Sequence, residues 1–360
     1  MFEFASVSKS TVFDKTEWLS FSPVNGKWIY ELYEKDAENG KPMRQAVERL
    51  FAMSMEERET IYTAIAHDMK FAEDPANGFQ FESIGLEKGA QSVISDFFLY
   101  FYNVVLCSAH FALQGLTKDK FGRADFAQEY FSGKNKKIKY ICPVCLQTTT
   151  NAEREDDIEH YFAKAWIPCL ALHPYNLYFI CPVCNERYKS MKRVFHDGII
   201  DVRRVFLPYI DTIRDRVKIE FIHEEEKDRI SLAPADESET YINEKIDSFN
   251  QLFDLENRWS GFMEYYFETR SSLYKSLDFS DIDELKEEMR RDLKKAACLA
   301  VNRPETYLET KYLEWIYGSQ LKAFYSNMVQ KDRNTVVIYF KLVDCLEKCL
   351  IYGHIRRFAD

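Results

Sequence analysis

The sequence predicts an α+β protein, mainly helical, built around one small cysteine-bearing unit. Three observations carry that prediction. Amphipathic runs of helical period fill both ends of the 360-residue chain. Two short runs, VKIEFIH (217–223) and RISLAP (229–234), read as strands. The tetrapeptide CPVC occurs twice, at 142–145 and at 181–184.

Residues 1–133 form the first expected domain, and it reads as helical. Ser54-Met55-Glu56-Glu57 has the pattern of a capping box and opens a helix expected to reach about Phe71. From Gly89 a long apolar run reads as a buried helix closed by Gly115. Asp96, Asn103 and His110 interrupt it every seven residues, which suits one polar stripe and does not suit a membrane span. The lysine-rich loop FSGKNKKIKY marks the expected boundary to the second domain, 134–210, which holds both CPVC copies. The third, 211–360, opens with the two strands. It then turns helical from Glu239, with runs such as IDELKEEMRRDLKKAACLAV.

Composition narrows the class. The chain is 46% apolar and 15% aromatic, so it can build a packed core and is not a disordered chain. Its first residues lack a basic stretch followed by an apolar one. A cytoplasmic protein with reduced thiols and no membrane association is expected. Net charge is −10, which argues against a nucleic-acid binder acting through its whole surface. The average hides a reversal. Residues 134–204 hold twelve Lys/Arg against eight Asp/Glu, leaving −14 for the rest of the chain. An anionic partner would be steered to the CPVC segment.

Two C-x-x-C knuckles supply four thiolates, the donor set a structural zinc ion prefers. Cys142, Cys145, Cys181 and Cys184 are the expected ligands, and Pro143 and Pro182 stiffen the two turns. A lone CPVC would also suit redox chemistry, which needs no second copy. Of the other five cysteines, Cys345 and Cys349 fall four apart on an expected helix, where paired core thiols are the plain reading.

Between and after the knuckles stand Glu159-His160, Asn176-Leu177 and Cys184-Asn185-Glu186-Arg187-Tyr188-Lys189. In that order these pieces resemble the HNH (ββα-metal) endonucleases, in the branch that carries a four-cysteine zinc. The resemblance covers about a fifth of the chain. Within that family, IEH and the CN-led helix look most like the nuclease subunits of bacterial anti-phage systems of the Septu, retron-associated and Zorya kinds. The resemblance implies a phosphodiester hydrolase acting on DNA, a nickase, with partner proteins from a defence operon.

It also implies roles. His160 would take a proton from water, since imidazole titrates near neutrality. Asn176 would orient that ring through its amide or backbone oxygen. Glu159 and Asn185 would hold a catalytic Mg2+ or Mn2+, with an irregular strand end turning Glu159 toward the ion. Lys164, Lys189, Lys192 and Arg193 would contact the nucleic acid, the last three from one helix. Three departures stand out. The acidic residue is Glu where Asp is usual, with Asp156 and Asp157 as rivals. YFAKA follows His160 where Pro-Lys is common. The spacing to Lys189 is one residue longer than usual. His173 reads as a loop residue. Two rival readings remain: a zinc-ribbon module that binds nucleic acid or protein without catalysis, and an HNH enzyme that cleaves RNA.

Overall fold

The computed structural model describes residues 1–23, 26–37, 42–75, 78–85, 88–106, 141–147, 157–195, 198–211, 213–224, 227–277, 279, 281–300, 306–326 and 328. It is mainly helical, with two small two-stranded sheets and a cluster of four cysteines. The lysine-rich loop, the last third of the long apolar run with His110, Asp156, and Cys345 with Cys349 lie outside the described residues.

Among the described residues, seven helices precede the cysteine unit: α1 (Phe2–Val7), α2 (Lys15–Phe21), α3 (Gly26–Ala37), α4 (Pro42–Ala52), α5 (Met55–Asp68), α6 (Gln80–Ser83) and α7 (Lys88–Tyr100). The capping box opens α5 as expected: Glu57 N–H donates to Ser54 Oγ, and Glu57 Oε2 accepts from Ser54 N–H at 2.8 Å. The helix stops three residues short of Phe71. Its last residue, Asp68, is buried and turns its carboxylate onto the next segment. Oδ1 accepts from Gln80 N–H (2.7 Å) and Oδ2 from Phe81 N–H (2.9 Å). Burial raises the Asp68 pKa against the pull of these donors.

Helix α7 runs into a wide turn at Phe101–Val105. The polar stripe faces outward over the described part of this run. Asp96 pairs with Arg49 at 2.5 Å, and Asn103 is exposed. No helix among the described residues is long and apolar enough to cross a membrane.

Strands β1 (Asp157–His160) and β2 (Leu177–Ile180) pair antiparallel, with Glu159 opposite Tyr178 and His160 opposite Leu177. A short helix, Val183–Lys189, follows at once. β3 (Val217–Glu224) and β4 (Lys227–Pro234) form the second sheet, matching the two strands expected from sequence. Four helices follow among the described residues: α8 (Ile242–Phe253), α9 (Leu255–Lys275), α10 (Ile282–Ala300) and α11 (Tyr307–Trp315).

One compact unit comprises Met1–Glu220 with Leu232–Glu256, the other Phe221–Ser231 with Asn257–Asp360. The N-terminal helices therefore share a unit with the cysteine segment. An aromatic core explains why: Phe162 meets Phe79 at 4.8 Å, Phe71 at 5.4 Å and Phe195 at 5.6 Å. Gly78 lies so close to Ile200 that a Cβ there would stand 2.5 Å from its carbonyl oxygen. In the same unit, Asp211 pairs with Arg216 and Lys245, and Arg216 pairs with Glu239. In the second unit, Arg270 bridges Asp292 and Glu309, and Phe221 stacks on Trp315.

Candidate metal centre and the histidine beside it

Cys142, Cys145, Cys181 and Cys184 converge as expected. All four are buried free thiols, with sulfurs within 4.8 Å of one another. Two pairs cross between the knuckles, Cys142–Cys184 and Cys145–Cys181, each at 3.8 Å. Zinc–sulfur bonds of ~2.3 Å in a tetrahedron place sulfurs ~3.8 Å apart, so the cluster has the size zinc requires. The backbone shapes both knuckles. Leu146 adopts the left-handed conformation (φ 59°) and donates to Cys142 O at 2.9 Å. The N–H groups of Cys181 and Cys184 point at the Cys142 and Cys181 sulfurs at 3.5 Å.

Hydrogen bonding with Cys142 holds the Cys145 and Cys181 thiols below their ordinary range. Cys145 pushes Cys142 up, and Cys142 pushes Cys184 up. Four buried sulfurs this close cannot all ionise without a cation among them. A lone redox dithiol gives no reason for this four-fold arrangement.

His160 ends β1 and is 4% exposed. Its Nε2 lies 3.0 Å from Ala171 O. A carbonyl only accepts, so in the neutral ring Nε2 carries the proton and Nδ1 is the basic nitrogen. The Tyr102 ring meets the imidazole edge-on at 4.5 Å, and Lys164 Nζ lies over the same ring at 4.4 Å. Tyr102 OH donates to Ile158 O at 3.3 Å. Tyr102 and Ala171 were not among the sequence candidates. One lies 58 residues before His160, and the other acts through its backbone.

Asn176 is fully buried and clamps the β1–β2 connection. Its Oδ1 accepts from Phe162 N–H (2.7 Å), and its Nδ2 donates to Phe162 O (3.1 Å) and Leu170 O (3.0 Å). Its own carbonyl accepts from Tyr161 N–H at 2.8 Å. The imidazole therefore rests on the Ala171 carbonyl and not, as expected, on an oxygen of Asn176. Asn176 instead fixes Leu170, the neighbour of Ala171. Asn176→Ala leaves the Phe162 N–H and the Phe162 carbonyl without partners, at about 1–3 kcal/mol each, while Leu170 O keeps the His173 N–H as donor. A loss of several kcal/mol in urea unfolding is expected, well beyond that of an ordinary surface substitution.

Glu159 does not turn toward His160. β1 stays regular through His160, so adjacent side chains leave opposite faces. Ile158 packs with Tyr102, Leu177 and Phe179, while Glu159 pairs with Lys189 on the other side. Lys189, expected to contact nucleic acid, is fully buried. The helix explains this placement. Ser190 N–H reaches back five residues to Asn185 O (2.6 Å), a wide turn that accommodates one extra residue. The longer spacing seen in the sequence thus brings Lys189 inward against Glu159.

Opposite Glu159, Tyr178 is buried with its hydroxyl lacking a hydrogen-bond partner among the described residues. Burial, then Glu159, raises its ionisation well above the ordinary tyrosine range. Asn185 is half-buried in the first turn of the helix. Lys192 and Arg193 lie beyond its end, because Ser190 breaks it with φ 45°. Both are exposed. Lys192 reaches Gln251 O (3.4 Å), and Arg193 covers Trp166 at 4.0 Å. His173 is a partly buried loop residue against Phe71 (4.9 Å), and burial lowers its pKa.

No family model, no curated protein and no solved structure matches this chain.

Proposed function

We propose that this protein is a metal-dependent HNH endonuclease that nicks DNA, with a structural zinc held by Cys142, Cys145, Cys181 and Cys184. The observation that carries this reading is the placement of His160. It ends the first strand of a strand–strand–helix unit closed by four cysteines, with its ring tautomer set by the Ala171 carbonyl. A base so oriented can accept a proton from water through Nδ1. Zinc would hold the two ends of the β1–β2 segment together and set the start of the helix that follows, outside the chemistry.

A second ion, Mg2+ or Mn2+, would supply positive charge at the scissile phosphate. Glu159 and Asn185 suit a hard cation by donor type, but Glu159 leaves the face of β1 opposite His160, so the strand end would have to turn to bring its carboxylate to the base. Lys189 already neutralises Glu159, so that carboxylate would have to exchange or share its ammonium partner. Lys164, Lys192 and Arg193 are the residues this reading sets against phosphate. The anti-phage setting and the partner proteins of a defence operon belong to this same reading, through the family resemblance.

The Glu159–Lys189 pair and the burial of His160 favour a second reading, a zinc module that binds nucleic acid or protein without cleaving it. Supercoiled plasmid separates the two. With Mg2+ or Mn2+ the nuclease converts it first to open circle, because one base addresses one phosphate at a time. The rate falls steeply with added salt as phosphate contacts weaken. Plasmid that stays supercoiled with either ion removes the nuclease reading. RNA cut in preference to DNA replaces the substrate.

A further inference from the structure

We infer that Glu159 and Lys189 are a positioning pair that pins the far end of the Val183–Lys189 helix to β1, and that neither residue holds a catalytic ion or meets phosphate. The inference rests on the nuclease reading for its base and its zinc, and takes these two residues out of the roles that reading gives them.

Side chains alternate along β1, which stays regular through His160. Ile158 and His160 leave the face that packs on Tyr102, and Glu159 leaves the other, toward Lys189. Swinging the Glu159 carboxylate round to the imidazole would break the pairing of Glu159 with Tyr178 and of His160 with Leu177. It would also strand Lys189, which is 0% exposed and has Glu159 as its ion-pair partner. A buried ammonium that loses its counter-charge is strongly destabilising, so the pair resists that movement. The same burial keeps Lys189 from a phosphate at the surface.

The helix shows what the pair does instead. Seven residues are too few for a helix to hold its own shape, so contacts at its ends must supply the rest. Cys184 ties the first turn to the cysteine cluster. Ser190, at φ 45°, ends the helix immediately after Lys189. Between the two lies the wide turn from Asn185 O to Ser190 N–H, which brings Lys189 round to the strand. One end is thus fixed by sulfur and the other by charge. Asn185, in the first turn, takes its place from both.

Tyr178 connects the two fixed ends. It stands opposite Glu159 in the sheet, and cross-strand neighbours share a face. Its buried hydroxyl is pushed well above the ordinary tyrosine range by burial first, then by Glu159, Tyr161, Cys142 and Cys184. The hydroxyl therefore lies within electrostatic reach of the ion pair and of two of the four sulfurs. A shift of the pair is felt at the cysteines.

The test uses the full-length protein with cobalt in the four-cysteine site, where the visible spectrum follows the arrangement of the sulfurs. Glu159→Gln and Lys189→Met should each shift that spectrum and lower the melting temperature. Glu159→Gln combined with Lys189→Met should melt above Glu159→Gln alone, because no ammonium is left buried without a partner. Manganese affinity, read from the electron-spin-resonance signal of the free ion, should be unchanged in Glu159→Gln and in the double variant. A fall on the order of tenfold in either makes Glu159 a ligand and overturns the inference. A cobalt spectrum untouched by all three variants, or melting shifts that simply add, overturns it too. If Glu159→Gln does not fold, the double variant and Lys189→Met carry the test. Wild type that nicks no plasmid sinks the nuclease reading, and the cobalt and melting results still decide the pair.

Discussion

Cys142→Ser or Cys181→Ser should yield protein that lacks its zinc and has lost the fold around residues 141–195. Purified wild type should carry about one zinc per chain. The four sulfurs lie within 4.8 Å of one another in a buried site, and only a cation at their centre lets them ionise together. Metal-coupled folding energy at such sites is on the order of 10 kcal/mol in total. A serine oxygen in place of one thiolate forfeits several kcal/mol of it, and a domain has only ~5–15 kcal/mol to lose. Metal analysis with thermal unfolding is the check. Full zinc content and an unchanged melting temperature in either variant would show that the cluster is an apolar thiol core.

The second large effect is on cleavage. His160→Ala should lower the nicking rate about 10²–10⁴-fold, the usual contribution of a positioned acid–base group. It should keep its zinc and melt far closer to wild type than the cysteine variants. The loss of its contact with Tyr102 and of one hydrogen bond to Ala171 O is local. Acid should also silence the wild type, since only an unprotonated imidazole accepts a proton. A His160→Ala variant that nicks like wild type, or that melts as early as Cys142→Ser, would make His160 a packing residue.

Sequence alone located the four cysteines, the capping box at Ser54 and the strands at 217–223 and 229–234. Each rests on local spacing or period, and backbone geometry converts those directly into structure. It could not locate what holds His160. Ala171 acts through a carbonyl that every residue possesses. Tyr102 arrives from a helix separated from β1 by some fifty positions. Lys189 misled for a different reason. A basic residue following a helix start reads as solvated, and only the five-residue turn at Asn185 carries it inward to Glu159. The packing of Phe71 and Phe79 on Phe162 was equally hidden, because nothing local in the sequence pairs rings that stand more than eighty positions apart.

That aromatic packing has a consequence for inheritance. A zinc-closed unit of some fifty residues looks like a portable cassette that recombination could move between hosts. Here its inner surface is completed by rings from the N-terminal part of the chain: Phe71, Phe79 and Tyr102. Transplanting residues 141–195 alone would carry the cysteines and the histidine but leave Phe162 and the imidazole facing solvent. Cut away from the N-terminal helices, the cysteine unit would lose part of its own interior. Substitution at Phe71, Phe79 or Tyr102 should loosen the histidine-bearing segment that each helps to seal.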